Sequence, residues 1–151
     1  MTFAMTKRLL PLGVAALMLS ACSGGGSTGN NPGLVGTQCS PGTQVALASP
    51  TQGQTGVSTT VGQVVIVGNG NNNYLYQTYT NFEVVLQDNF GNTLTGSTFN
   101  LVTNKSYPQP YSSNFYYGSN VTTLNAGATY NVYLNQLSLS CGLIPVGSFN
   151  T

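Results

Sequence analysis

Phe82-Glu83-Val84-Val85-Leu86-Gln87-Asp88 and Thr129-Tyr130-Asn131-Val132-Tyr133-Leu134-Asn135 are the two stretches whose reading decides the fold class. Side chains along a strand point alternately to opposite faces. Phe82, Val84 and Leu86 therefore share one face, and Tyr130, Val132 and Leu134 share another. These six side chains are the expected core. Working outward, further short apolar or alternating runs occupy 43–48, 61–67, 93–102, 115–123 and 146–150. Turn residues such as Gly91-Asn92 and Asn125-Ala126-Gly127 separate the runs, and no stretch follows a helical period. The pattern predicts an all-β antiparallel sandwich of about seven strands over 39–151.

Composition narrows the function classes. Only 3% of residues are charged, and beyond the first twenty-one the charges are Lys105, Glu83 and Asp88. No basic surface exists to neutralise phosphates, so nucleic acid is not an expected partner. Low charge with many β-branched and aromatic residues fits a folded β-rich domain rather than a disordered chain. It also leaves sheet edges with few charges to guard them.

Met1 to Ala21 carries Lys7 and Arg8, then an apolar stretch from Leu9 to Leu19, then small residues, which is the layout of a secretory signal. The apolar stretch is too short to span a bilayer, which takes roughly twenty residues. Leu19-Ser20-Ala21-Cys22 resembles the lipobox of bacterial lipoproteins. That resemblance implies a signal peptide at 1–21, cleavage before Cys22, and a diacylglyceryl group on the Cys22 thiol. Each buried methylene adds about 0.8 kcal/mol, so two or three acyl chains suffice for stable membrane attachment. Ser23 stands where many such lipoproteins carry an inner-membrane retention aspartate, which implies the outer membrane of the cell envelope. Residues 22–38, rich in Gly, Ser and Asn, read as a flexible tether with a reach of roughly 20 Å.

In an exported protein Cys39 and Cys141 can persist as a disulfide. Such a bond would close a loop of about a hundred residues and contribute on the order of 4 kcal/mol. Two free thiols, or pairing with another chain, are the alternatives.

From residue 50 onward the chain resembles bacterial Ig-like and fibronectin type III domains. The resemblance rests on Ser49-Pro50-Thr51-Gln52-Gly53-Gln54-Thr55-Gly56-Val57-Ser58 at the opening, Gly147-Ser148-Phe149-Asn150-Thr151 at the close, and Leu124-Asn125-Ala126-Gly127-Ala128-Thr129-Tyr130 between them. It implies an Ig-like β-sandwich in which Tyr130 forms a tyrosine corner, its hydroxyl bonded to backbone a few residues upstream. The chain departs from the family at Ala126, where proline is common, and in having no tryptophan. Under this strand order the connections after the second, fourth and sixth strands emerge at one end. Cys141 and Cys39 would then lie near one another.

The chemistry-bearing residues are few. Without histidine, the usual Ser-His and Cys-His nucleophile pairs cannot be built, and transition-metal sites lose their commonest ligand. Glu83 and Asp88, five apart on one predicted strand, face opposite sides. Asp88, Asn89 and Asn92 around a glycine turn offer one carboxylate, little charge for calcium. The reading is of a protein that is not an enzyme and needs no metal or cofactor.

Aromatic crowding stands out instead: seven of nine tyrosines lie between Tyr74 and Tyr117. Tyrosine provides a large amphipathic contact at low entropic cost. Tyr74, Tyr76, Tyr79, Tyr107 and Tyr111, in two predicted loops, form the candidate binding surface. The expected function is a noncatalytic, lipid-anchored envelope protein acting as a binding, adhesion or structural module toward protein or glycan. The alternatives are a self-assembling, fibre-forming surface protein, suggested by the Asn- and Tyr-rich run 69–81, and a glycan-binding accessory module.

Overall fold

A computed structural model describes residues 39–70, 72–103, 107 and 114–151. The signal segment, Cys22, the tether and Tyr111 lie outside the described residues. Eight strands form two antiparallel four-stranded sheets. The first sheet has the order β1-β2-β6-β5, with β1 Val45–Ser49, β2 Gln63–Asn69, β5 Asn100–Leu101 and β6 Asn114–Asn120. The second has the order β4-β3-β7-β8, with β3 Phe82–Asp88, β4 Thr93–Thr98, β7 Thr129–Gln136 and β8 Ile144–Asn150. This is the order of an immunoglobulin-type sandwich with β4 added beside β3.

The alternation behind this arrangement is direct. In the β3–β7 ladder Val84 faces Leu134 and Leu86 faces Val132. Phe82, Val84, Leu86, Tyr130, Val132 and Leu134 are all buried, and they meet Val64, Ile66, Tyr117 and Phe149 between the sheets. Strand β2 is buried on both faces. Val64 and Ile66 enter the main core, while Val65 and Val67 join Ala48 and Tyr116 in a second cluster against which Val102 and Tyr107 pack. That double burial is why this stretch reads as a continuous apolar run.

The strand count is eight rather than seven, because the run 93–102 divides. Phe99 is buried, and its N–H donates to the Phe82 carbonyl at 3.0 Å. The chain pivots there from the second sheet (β4) to the first (β5). A register irregularity between Glu83 and Val85, opposite Thr98 and Thr95, begins the departure.

A second correction concerns helix, which the sequence pattern did not reveal. Tyr74–Thr78 forms one α-helical stretch, α1, followed by a 3-10 turn at Tyr79–Asn81. Asn73 caps α1, its Oδ1 accepting from Tyr76 N–H at 2.8 Å. Leu75 is fully buried and its N–H donates to the Pro41 carbonyl at 2.8 Å. So short a helix is unstable alone. The cap and the Leu75 anchor hold it.

The scarcity of edge charges is met by the backbone. Residues 53–57 run along the free side of β8: Gly53 N–H donates to Ser148 O at 2.8 Å, Asn150 N–H to Gln54 O at 2.8 Å and Val57 N–H to Asn150 O at 3.0 Å. Part of one edge is thereby satisfied without charge.

Two long-range ties complete the frame. Cys39 and Cys141 are disulfide-bonded, their Cα atoms 5.4 Å apart. This joins the first described residue to the β7–β8 connection. At the opposite end the Tyr130 hydroxyl accepts from Asn125 N–H at 2.7 Å, and its ring stacks on Phe149 at 5.5 Å.

Candidate functional site

Both carboxylates are committed to amide partners. Asp88 Oδ1 accepts from the N–H groups of Phe90 (3.0 Å) and Asn92 (2.8 Å). Its Oδ2 accepts from the side-chain amides of Asn92 and Asn125, each at 2.9 Å. The Asn92 side chain is the largest cause of a lowered pKa. Burial opposes it, but the Asn125 amide and the two backbone donors add to the lowering and hold the carboxyl at about 2. Four N–H donors point at this carboxylate, the polarity opposite to what a cation needs, and Asn89 Oδ1 accepts from Thr129 N–H at 2.9 Å. The turn is a hairpin clasp, with Gly91 taking a φ of 90° that only glycine adopts easily. Glu83 accepts from the Asn135 amide across the β3–β7 pair at 2.8 Å. Among the described residues no three His, Cys, Asp or Glu side chains come together.

Three of the five candidate tyrosines lie at one end of the sandwich, on α1 and its 3-10 extension. Each is half-buried against a strand aromatic. Tyr74 meets Phe82 edge-on at 6.0 Å, and its hydroxyl accepts from the buried Gln136 amide at 3.0 Å. Tyr76 meets Phe115 at 4.7 Å, and Tyr79 meets Tyr117 at 6.1 Å. Tyr107 lies apart from them, on the outer cluster of the first sheet. There its ring is 5.2 Å from Tyr116, and its carbonyl accepts from the Tyr116 hydroxyl at 3.2 Å. A single five-tyrosine patch is thus not what the described residues form. Tyr74, Tyr76 and Tyr79 are a cap over the open end of the core.

The β7–β8 connection packs beside this cap, with Leu137 N–H donating to the Asn81 carbonyl at 2.9 Å. Leu137 (46% exposed) and Leu143 (39%) belong to this connection and are, among the described residues, two of the three exposed large hydrophobic side chains; the third, Phe90, sits at the opposite end in the β3–β4 hairpin. Beneath the cap the Tyr117 hydroxyl is buried without a hydrogen-bond partner. Burial first, then the neighbouring Tyr76 and Tyr79, hold its pKa above the ordinary phenol range. The cap therefore combines half-buried aromatic rings with a neighbouring connection that bears exposed leucines and is tied by the disulfide to Cys39. The exposed Leu137 and Leu143 were not singled out from the sequence, because their exposure depends on where the β7–β8 connection docks.

A second feature lies on β7 and β8, where Gln52, Asn131, Val132, Tyr133, Pro145, Gly147 and Ser148 line an open depression of about 240 Å³. No charged side chain lines it. The chain matches no family model, no curated protein and no solved structure.

Proposed function

We propose that this protein is a noncatalytic, lipid-anchored module of the bacterial cell envelope whose sandwich presents the α1 cap to an envelope partner. Cys22 carries the lipid, the signal peptide is removed, and the tether delivers the domain to the outer membrane. The lipobox-like Leu19-Ser20-Ala21-Cys22 supports the anchor. The engagement of Asp88 and Glu83 by structural amides supports a role without acid/base chemistry.

The observation that carries the reading is that the β7–β8 connection, which bears the exposed Leu137 and Leu143, is bonded through the Leu137 N–H to Asn81 at the end of the tyrosine-bearing 3-10 turn. Exposed apolar side chains grouped with aromatics mark contact surfaces more often than scattered ones do. Because Tyr76 and Tyr79 are held by packing, little side-chain freedom is lost on contact. The disulfide joins the tether's end to this same region, so the anchor keeps it close to envelope components.

The test has two arms. Metabolic labelling with a radioactive fatty acid marks the wild-type chain and leaves Cys22→Ser unlabelled. Crosslinking in the intact envelope captures a partner with the wild-type chain and loses it with Tyr76→Ser/Leu143→Ser. Equal capture by both proteins removes the cap from the account, and absence of label removes the anchor.

A further inference from the structure

The depression on β7 and β8 is separate from the α1 cap and has its own physical origin. Strand register runs Val132↔Gly147 and then Tyr133↔Pro145, so β8 carries one extra residue, Val146, at a bulge. Val146 packs against the main core, and a Cβ on Gly147 would meet Leu47 Cδ1 at 3.0 Å, so both positions face inward. Ser148 and Pro145, opposite the outward Asn131 and Tyr133, are left with a gap between them on the outer face. A bulge of this kind commonly re-aims side chains around a site.

Gln52 closes one side. Its Oε1 accepts from Ser148 N–H at 2.9 Å and its Nε2 donates to Ser148 Oγ at 3.4 Å. Any side chain at position 147 would overlap that Oε1, so Gly147 is what lets Gln52 seat there. Among the described residues, the Asn131 amide and the Tyr133 hydroxyl make no hydrogen bond and remain available.

From these features we infer a binding site for a neutral saccharide. The Tyr133 and Pro145 rings offer apolar faces on which a sugar ring can lie, and the Asn131 and Gln52 amides with the Ser148 hydroxyl supply donors and acceptors for its hydroxyls. With no charge in the lining, a charged ligand would lose its solvation without compensation. At about 240 Å³ the space falls below the ~300 Å³ where drug-sized pockets begin and suits a single sugar residue of a longer chain. A peptide is the poorer fit. It would bind by adding a strand, and from Ser148 to Asn150 the β8 edge it would need is already bonded to residues 53–57.

The site is tested with the full-length chain in detergent by saturation-transfer NMR, using cellotetraose, maltotetraose and chitotetraose as probes and tetragalacturonate as the charged comparison. The expected result is saturable binding of at least one neutral probe with a Kd of about 1 mM or tighter. Tyr133→Ala, at a half-buried position, and Gln52→Ala, at an exposed one, each weaken it about tenfold or more, whereas Tyr76→Ser leaves it unchanged. The inference is overturned if no neutral probe binds, if tetragalacturonate binds more tightly than all three, or if the Tyr133 and Gln52 variants bind as the wild-type chain does. Loss on Tyr76→Ser alone would also overturn it, by moving the sugar to the α1 cap.

Discussion

At the residue scale the hydroxyl of Tyr130 and the carboxylate of Asp88 pin the same turn from two sides, through the Asn125 backbone and side chain respectively. Tyr130→Phe leaves the Asn125 N–H without its partner while keeping the stacked ring. The expected loss is about 1–2 kcal/mol in urea unfolding, with an unchanged m value; an unchanged midpoint would mean that water replaces the hydroxyl at no cost. Asp88 predicts a pH dependence whose sign follows from its lowered pKa. An unperturbed carboxyl titrates near 3.8 and this one near 2 in the fold. The unfolded chain therefore binds the proton first as pH falls. The stabilisation from Asp88 is complete above pH 4 or so and drains away between about 4 and 2. Denaturation midpoints across that window should fall more steeply for the wild-type chain than for Asp88→Asn, and parallel curves would contradict the clasp.

At the scale of elements, α1 depends on two side chains. Asn73→Ala removes the cap and should cost about 1 kcal/mol. Leu75→Ala empties a fully buried position and should cost about 2–5 kcal/mol. Thermal and urea unfolding measure both, and a negligible effect of Leu75→Ala would show that the helix is not anchored as described. These same residues explain what the sequence reveals and what it hides. The strands 82–88 and 129–135 are legible because alternation depends only on near neighbours, and Phe82, Leu86, Val132 and Leu134 are buried as that alternation predicts. Helix α1 is not legible, since one turn carries no periodicity and is held by Pro41, more than thirty residues away. The division of 93–102 at Phe99 is hidden for a similar reason, as it goes with a backbone bond to Phe82 on the neighbouring strand β3. The tyrosines were conspicuous by composition, yet which ones cap the sandwich and which lies on the outer sheet follows from sheet order. The depression beside Tyr133 rests on Gln52 meeting Ser148 across 96 positions, a pairing no local pattern announces.

At the scale of the whole molecule, a nearly uncharged surface requires other devices to remain a discrete sandwich. Backbone pairing at Ser148 and Asn150 covers part of the β8 edge, and the Cys39–Cys141 bond closes the chain over a separation of 102 residues. Cys39→Ser/Cys141→Ser should lower stability by about 4 kcal/mol under oxidising conditions, read from denaturant midpoints; a loss below about 1 kcal/mol would imply an unfolded state that is already compact. The Asn- and Tyr-rich run 69–81 bears on self-assembly. Within it Asn73 and Leu75 are buried and Tyr74, Tyr76 and Tyr79 pack on strand aromatics, so loss of the cap should expose them. Leu75→Ala is therefore expected to form fibres faster than the wild-type chain in a dye-binding assay.

Under the proposed function, the end bearing Tyr76, Tyr79, Leu137 and Leu143 meets an envelope partner while the opposite end does not. A photo-crosslinking amino acid placed at position 76, and separately at position 90, in the full-length chain tests it directly. Phe90 is 63% exposed and stands at the far end of the sandwich, so accessibility alone favours it. A discrete adduct with an envelope component is expected from position 76 and none from position 90. Adducts from both positions, or from position 90 alone, would contradict it.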